Sequence, residues 1–168
     1  DDHIAFRITP VLNDLEQLSR WRMCSQQRSD SLPALLHIDT GMTRLGFDAD
    51  QIDWLIENKS ALDGLDCRYL MSHLVSAEVA DDPTNALQLA AFNEWRRWFP
   101  GMPASLANSA GSMLSPDYHF QMTRPGIALY GADPADQPTD KLMRVVTWQA
   151  RIIQLRQAKA GDRVGYGG

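Results

Sequence analysis

Ala34-Leu35-Leu36-His37-Ile38-Asp39-Thr40-Gly41-Met42-Thr43-Arg44 decides the fold. A short apolar run passes at Asp39 into a polar, glycine-bearing turn. A helical pattern follows from Asp48 or Asp50, with Ile52, Leu55 and Ile56 on its apolar face. The stretch therefore reads as a strand, a loop and a helix.

The same order recurs outward in both directions. Upstream, Ile4 to Leu12 reads as a strand, and Asn13-Asp14 caps a helix to about Gln27 with Leu15, Leu18 and Trp21 at helical spacing. Downstream, Gly64 to His73 is a strand that ends on Ser72-His73. Asp82-Pro83-Thr84-Asn85 opens a helix reaching about Phe99, and Pro100-Gly101-Met102-Pro103 breaks it. Ala104 to Ala107 is a very short strand running into Asn108-Ser109-Ala110-Gly111, where Ser109 begins a short helix. Phe120 to Ile127 is a further extended run holding Arg124-Pro125-Gly126. Strand-helix-strand units at roughly 30-residue spacing predict a parallel sheet. About five such strands are present, too few to close an eight-stranded barrel. The fold class is α/β, part of a parallel barrel, and such barrels carry their chemistry on the loops that follow the strands.

After Tyr130-Gly131 the composition changes. Residues 132–143 read as a linker rich in Pro and Asp. Val145 to Leu155 alternates as a half-buried antiparallel strand does, Lys159-Ala160-Gly161-Asp162 is a turn, and Val164 to Gly168 starts another strand. The expected organisation is a barrel portion over 1–131, the linker, and the beginning of a β-domain over 144–168. The chain is expected to begin and end inside a larger protein.

Bulk properties narrow the function. The 168 residues carry a net charge of −5, which argues against a nucleic-acid or anionic-membrane surface. No apolar run is long enough to span a bilayer, and Asp1-Asp2-His3 is not a signal peptide. Cys24 and Cys67 show no metal spacing and read as buried or half-buried thiols, which fits a cytoplasmic setting. The four histidines form no HxH or HxxxH pattern, so no metal is expected.

The loop residues suit an anionic, phosphate-bearing ligand. Arg44 lies in a glycine-flanked loop that can offer backbone N–H groups and a guanidinium to an anion; a solvent-exposed turn arginine reads equally well. Asn108 and Ser109 can hold a phosphate at a strand-to-helix junction, although by themselves they read better as N-caps. Arg124-Pro125-Gly126-Ile127 combines a fixed φ with a residue that allows close backbone approach, a phosphate cradle or a plain loop. A lone histidine such as His73 is more often structural. Tyr166, between glycines, reads by itself as a surface tyrosine. Trp95 and Trp98 share a helical face and read as packing.

Taken together and in order, these segments resemble alanine racemase, a pyridoxal 5′-phosphate enzyme of fold-type III. The specific stretches are Asp39-Thr40-Gly41-Met42-Thr43-Arg44-Leu45-Gly46 and Arg124-Pro125-Gly126-Ile127-Ala128-Leu129-Tyr130-Gly131. Pro10-Val11-Leu12-Asn13, Ser72-His73, Ala107-Asn108-Ser109-Ala110 and Val164-Gly165-Tyr166-Gly167 complete the order. The resemblance implies an eight-stranded α/β barrel followed by a β-domain, of which this chain holds about the last five barrel strands and the opening of the second domain. It implies that Arg124 faces the cofactor's pyridine nitrogen and that His73 bridges Arg124 to Tyr166. Ser109, with N–H groups near Gly126 and Ile127, would hold the phosphate, and Asn108 would lie near the ring. Arg44 would approach the phenolic oxygen and the substrate carboxylate. Tyr166 would be the second catalytic base, acting in the partner subunit of a head-to-tail homodimer.

The same resemblance implies two-base interconversion of L- and D-alanine, supplying D-alanine for cell-wall peptidoglycan. The lysine that holds the cofactor covalently has no counterpart in Lys59, Lys141 or Lys159, so the isolated 168 residues are expected to be inactive. His37 stands where several relatives carry a lysine that positions the arginine matching Arg44, and its imidazole could bond Arg44 only while neutral. The alternatives are a non-catalytic pyridoxal-phosphate-binding barrel, a racemase for another amino acid, and a barrel piece with no ligand.

Overall fold

A computed structural model describes residues 2–135 and 142–166. Strands β1 (Val11–Leu12), β2 (Leu32–His37), β3 (Leu65–Met71) and β4 (Ala104–Ser105) form one sheet in the order β1-β2-β3-β4. Every pairing is parallel, with Leu12 opposite Leu36, Leu36 opposite Leu70, and Leu70 opposite Ala104. Parallel neighbours need crossovers, and α2 (Leu15–Arg28), α3 (Ala49–Glu57) and α4 (Pro83–Arg96) supply them; α1 (Asp2–Ala5) precedes the sheet. This is the architecture of part of an α/β barrel.

Each crossover helix starts where a carboxylate can cap it. Asp14, Asp48 and Asp82 accept the N–H groups of Gln17, Gln51 and Thr84, satisfying donors that the first helical turn leaves open. Behind the sheet, Leu36, Ile38, Ile52, Leu55, Leu70, Phe92 and Leu106 are almost wholly excluded from solvent. Side chains alternate along a strand, so His37 points to the opposite face from Leu36 and Ile38. That alternation puts an imidazole on the inner face of the sheet.

Three expectations differ from the structure. Ile4 to Leu12 is not one strand: residues 2–8 coil as α1 and a turn, closed by Phe6 N–H to Asp2 and Ile8 N–H to His3, and only Val11–Leu12 pairs. Pro10 has no N–H for a ladder, although its carbonyl accepts Leu35 N–H at 2.9 Å. The extended run from Phe120 follows β4 through Gln121 N–H to Ala104 and Arg124 N–H to Ala107, without becoming a fifth strand. Finally, residues 142–166 contain no strand, and their apolar side chains, such as Trp148 and Ile153, stand in solvent. Alternation suits a strand, but a strand also needs a hydrogen-bonded neighbour, and no described residue provides one. Val164 to Tyr166 likewise form no strand; Gly167 and Gly168 lie outside the described residues.

Candidate active site at the ends of the strands

His73, Asn108, Ser109, Arg124, Gly126 and Ile127 line one cavity of about 500 Å³, together with Glu78. They come from the loops after β3 and β4 and from the segment that follows. The sheet order places these loops side by side, which is why residues far apart in sequence meet here.

Arg124 is the centre of the cluster. Its Nη1 donates to Ser105 Oγ, and its Nη2 donates to the carbonyls of Ser72 at 2.6 Å and Leu106 at 3.3 Å. The ion pairs found among the described residues are Arg20–Glu16, Arg68–Asp66 and Arg97–Glu94, so no carboxylate neutralises Arg124. Burial pushes its pKa down, yet a guanidinium keeps its proton. The site floor is thus a half-buried cation held by neutral acceptors.

His73 sits between two donors. Arg124 Nη2 lies 3.5 Å from its Nδ1, and Asn108 Nδ2 lies 3.5 Å from its Nε2. Asn108 cannot turn to offer its oxygen, because Oδ1 already accepts Gly111 N–H at 2.8 Å. A neutral imidazole can accept from one of these neighbours and a protonated one from neither. Burial, then the charges of Arg124 and Arg44, accordingly lower the His73 pKa. The bridge expected from Arg124 through His73 to Tyr166 is not made within the chain. The face of His73 assigned to it meets Asn108, and Tyr166 is fully exposed in the strandless segment.

Ser109 gathers the opposite wall. Its hydroxyl accepts Gly126 N–H at 2.7 Å and Ala128 N–H at 3.4 Å, while Ile127 N–H has no acceptor among the described residues. A Cβ added at Gly126 would lie 4.0 Å from Ser109 Oγ and would project into this cradle. Converging N–H groups beside a hydroxyl, with an un-neutralised arginine across the cavity, fit a phosphate on one side and an electron-rich ring atom on the other. The residues present therefore fit pyridoxal phosphate.

Arg44 is held differently. The Asp39 carboxylate accepts the N–H groups of Gly41, Met42 and Thr43 at 2.9 to 3.1 Å, and Thr43 adopts φ 54°. Arg44 is exposed and makes no hydrogen bond among the described residues. The bond considered between His37 and Arg44 is absent. His37 Nδ1 instead lies 2.8 Å from Asn13 Oδ1, and Asn13 Nδ2 donates to the Val11 carbonyl. Asn13 Oδ1 is therefore the acceptor, and His37 is a neutral Nδ1–H tautomer.

That assignment has a pH signature. Burial first, then Arg124, His73 and Arg44, with Asp39 opposing, lower the His37 pKa from 6.5 to about 4. Above pH 6.5 the folded and unfolded forms are both neutral and the full stability is present. As the pH falls from 6.5 to about 4, only the unfolded chain takes up this proton, and about 3 kcal/mol is lost. Urea unfolding at pH 7 and pH 4.5 should show a larger drop in midpoint for the natural chain than for His37→Gln. Equal drops would remove His37 from the account.

Sequence reading missed Gln88. Its signal was available, since Asn85, Gln88 and Phe92 share one face of α4 and all three are buried. It also missed Asn13 as the partner of His37, and Ser105 as an acceptor for Arg124.

Residues 1–134 match the family model for the alanine racemase N-terminal domain. An alanine racemase from Rickettsia bellii is 42% identical over 164 residues, covering 97% of this chain and 40% of that protein. The crystal structure of alanine racemase from Bartonella henselae with covalently bound pyridoxal phosphate superposes with a TM-score of 0.80 at 35% identity, covering 85% of this chain and 40% of that one. The alanine racemase of Acinetobacter baumannii superposes with a TM-score of 0.76 at 32% identity, covering 99% of this chain and 47% of that one. The chain thus spans less than half the length of these relatives. From residue 1 to residue 134 it belongs to the alanine racemase N-terminal domain family.

Proposed function

We propose that the full protein carrying this chain is a pyridoxal-phosphate-dependent alanine racemase that interconverts L- and D-alanine. The observation that carries the reading is Arg124: a half-buried cation with no carboxylate partner among the described residues, facing a cradle built on Ser109 and Gly126. Pyridoxal phosphate supplies, when bound, an electron-accepting ring conjugated to the substrate's Cα. Arg124 presents a positive charge to the pyridine nitrogen and disfavours a proton there, which restrains competing reactions and leaves proton transfer at Cα as the main path. His73, kept neutral, sustains that field. Ser109 and the N–H groups of Gly126 and Ile127 bind the phosphate, and Asn108 orients the ring. Arg44, free of partners in its own loop, takes the substrate carboxylate and approaches the phenolic oxygen.

Tyr166 acts as the second base. Its full exposure supports a role in a partner subunit rather than in its own chain, and so a head-to-tail homodimer. Residues 1–131 belong to the barrel and 144–168 to a β-domain whose strands pair once the remainder of that domain is present. No helix among the described residues is long and apolar enough to cross a membrane. We place the protein in the cytoplasm, where D-alanine would serve peptidoglycan synthesis.

The gene extended to its natural ends provides the test. With pyridoxal phosphate and L-alanine in D2O, exchange of the α-proton is expected to accompany loss of optical rotation, and Tyr166→Phe is expected to suppress both. Cofactor binding without exchange would replace the racemase by a carrier. The isolated 168 residues are expected to give no turnover in the same assay, since no lysine among the described residues lines the cavity.

A further inference from the structure

Gln88 lies on α4, behind the cavity rather than in it, and is 1% exposed. Its Oε1 accepts Val75 N–H at 2.9 Å. Its Nε2 donates to the His73 carbonyl at 3.0 Å and to Thr40 Oγ1 at 3.2 Å. One amide group therefore grips the backbone on both sides of Leu74 and, at the same time, the loop that follows β2. The connection continues: Thr40 Oγ1 and Ser72 Oγ are 2.7 Å apart, and the Ser72 carbonyl accepts Arg124 Nη2. Only asparagine and glutamine combine an acceptor with two donors on one rigid plane, and glutamine adds the reach from a helix.

Two of its bonds satisfy the backbone at His73 and Val75. The second Nε2 hydrogen, which burial obliges to find an acceptor, finds it on a side chain of the neighbouring loop and so ties that loop to this one. Thr40 lies four residues before Arg44 and shares its loop. We propose that Gln88 is a positioning residue for racemisation: it locks the Arg44 loop to the His73–Arg124 pair, so that the carboxylate-binding and ring-facing groups keep one spacing. This rests on the racemase reading above.

The experiment uses the full-length protein with Gln88→Met, Thr40→Val, the double variant, and Thr40→Ser, which keeps the hydroxyl. Hydrogen-deuterium exchange of peptides covering 39–46 and 72–76, without cofactor, reads the coupling directly. The affinity for pyridoxal phosphate and the kcat and KM for L-alanine read its consequence. Gln88→Met and Thr40→Val should each speed exchange in both loops and lower kcat about tenfold, with KM changed less. The double variant should be no slower than Gln88→Met, and Thr40→Ser should resemble the natural protein. A lower melting temperature with unchanged kcat, or losses that simply multiply in the double variant, would reduce Gln88 to a structural residue. Thr40→Val decides the matter even if Gln88→Met does not fold. A natural protein that turns over no alanine would overturn the racemase reading itself; an active one with neutral variants overturns only the coupling.

Discussion

Arg124→Leu is expected to lower the unfolding free energy by about 2–4 kcal/mol. Two effects oppose each other. Removing a half-buried, un-neutralised guanidinium relieves a desolvation penalty. It also strips the donor from Ser105 Oγ and from the carbonyls of Ser72 and Leu106, residues that are almost fully buried. Ser105 Oγ keeps its own bond to the Met122 carbonyl, but each stranded carbonyl costs about 1–3 kcal/mol, so the two of them outweigh the relief. Arg124→Lys keeps the charge but offers a compact ammonium instead of a planar fork, and should recover less than half of the loss. Denaturant midpoints of the three proteins decide this. A leucine variant as stable as the natural chain would mean that the strand ends hold together without the guanidinium.

Gly46→Ala is expected to be at least as damaging, about 3 kcal/mol or more. Gly46 has φ 110°, where side chains are strained. An added Cβ would also lie 2.8 Å from Asp39 N, 2.9 Å from Ile38 C and 3.0 Å from His37 O. All three are backbone atoms, so no side chain can swing aside. The same backbone carries the bonds from Phe47 N–H to His37 and from Asp39 N–H to Phe47, which close the loop. Gly101→Ala is the control: its φ is also positive, at 80°, but nothing lies within 4 Å. It should cost about 1 kcal/mol. Calorimetric melting of both variants separates backbone strain from collision, and equal shifts would rule out the collision.

The contrast between legible and illegible features has physical causes. The crossover helices were readable because their caps are local: Asp14, Asp48 and Asp82 each stand beside the N–H they accept. The gathering of His73, Asn108, Ser109 and Arg124 was readable because a parallel sheet forces all post-strand loops to one end. Val145 to Leu155 forms no strand here because alternation records which side chains want burial, while strand formation depends on a neighbour that no described residue provides. Ile4 to Leu12 misled because its composition outweighed Pro10. Gln88 and Asn13 escaped because a buried amide is identified by its partners, and those lie up to 48 residues away.

The two glycine-bearing loops look interchangeable as anion receptors, but the Asp39 carboxylate makes them unequal. It occupies the N–H groups of Gly41, Met42 and Thr43, so that concavity carries its own built-in counter-ion. A phosphate arriving at those three N–H groups would meet like charge and find each donor already occupied. At the other loop, Ser109 presents only a neutral hydroxyl to Gly126 and Ala128, and an incoming anion can compete with it. One self-inhibited receptor and one open receptor give a ligand with a single phosphate one orientation rather than two.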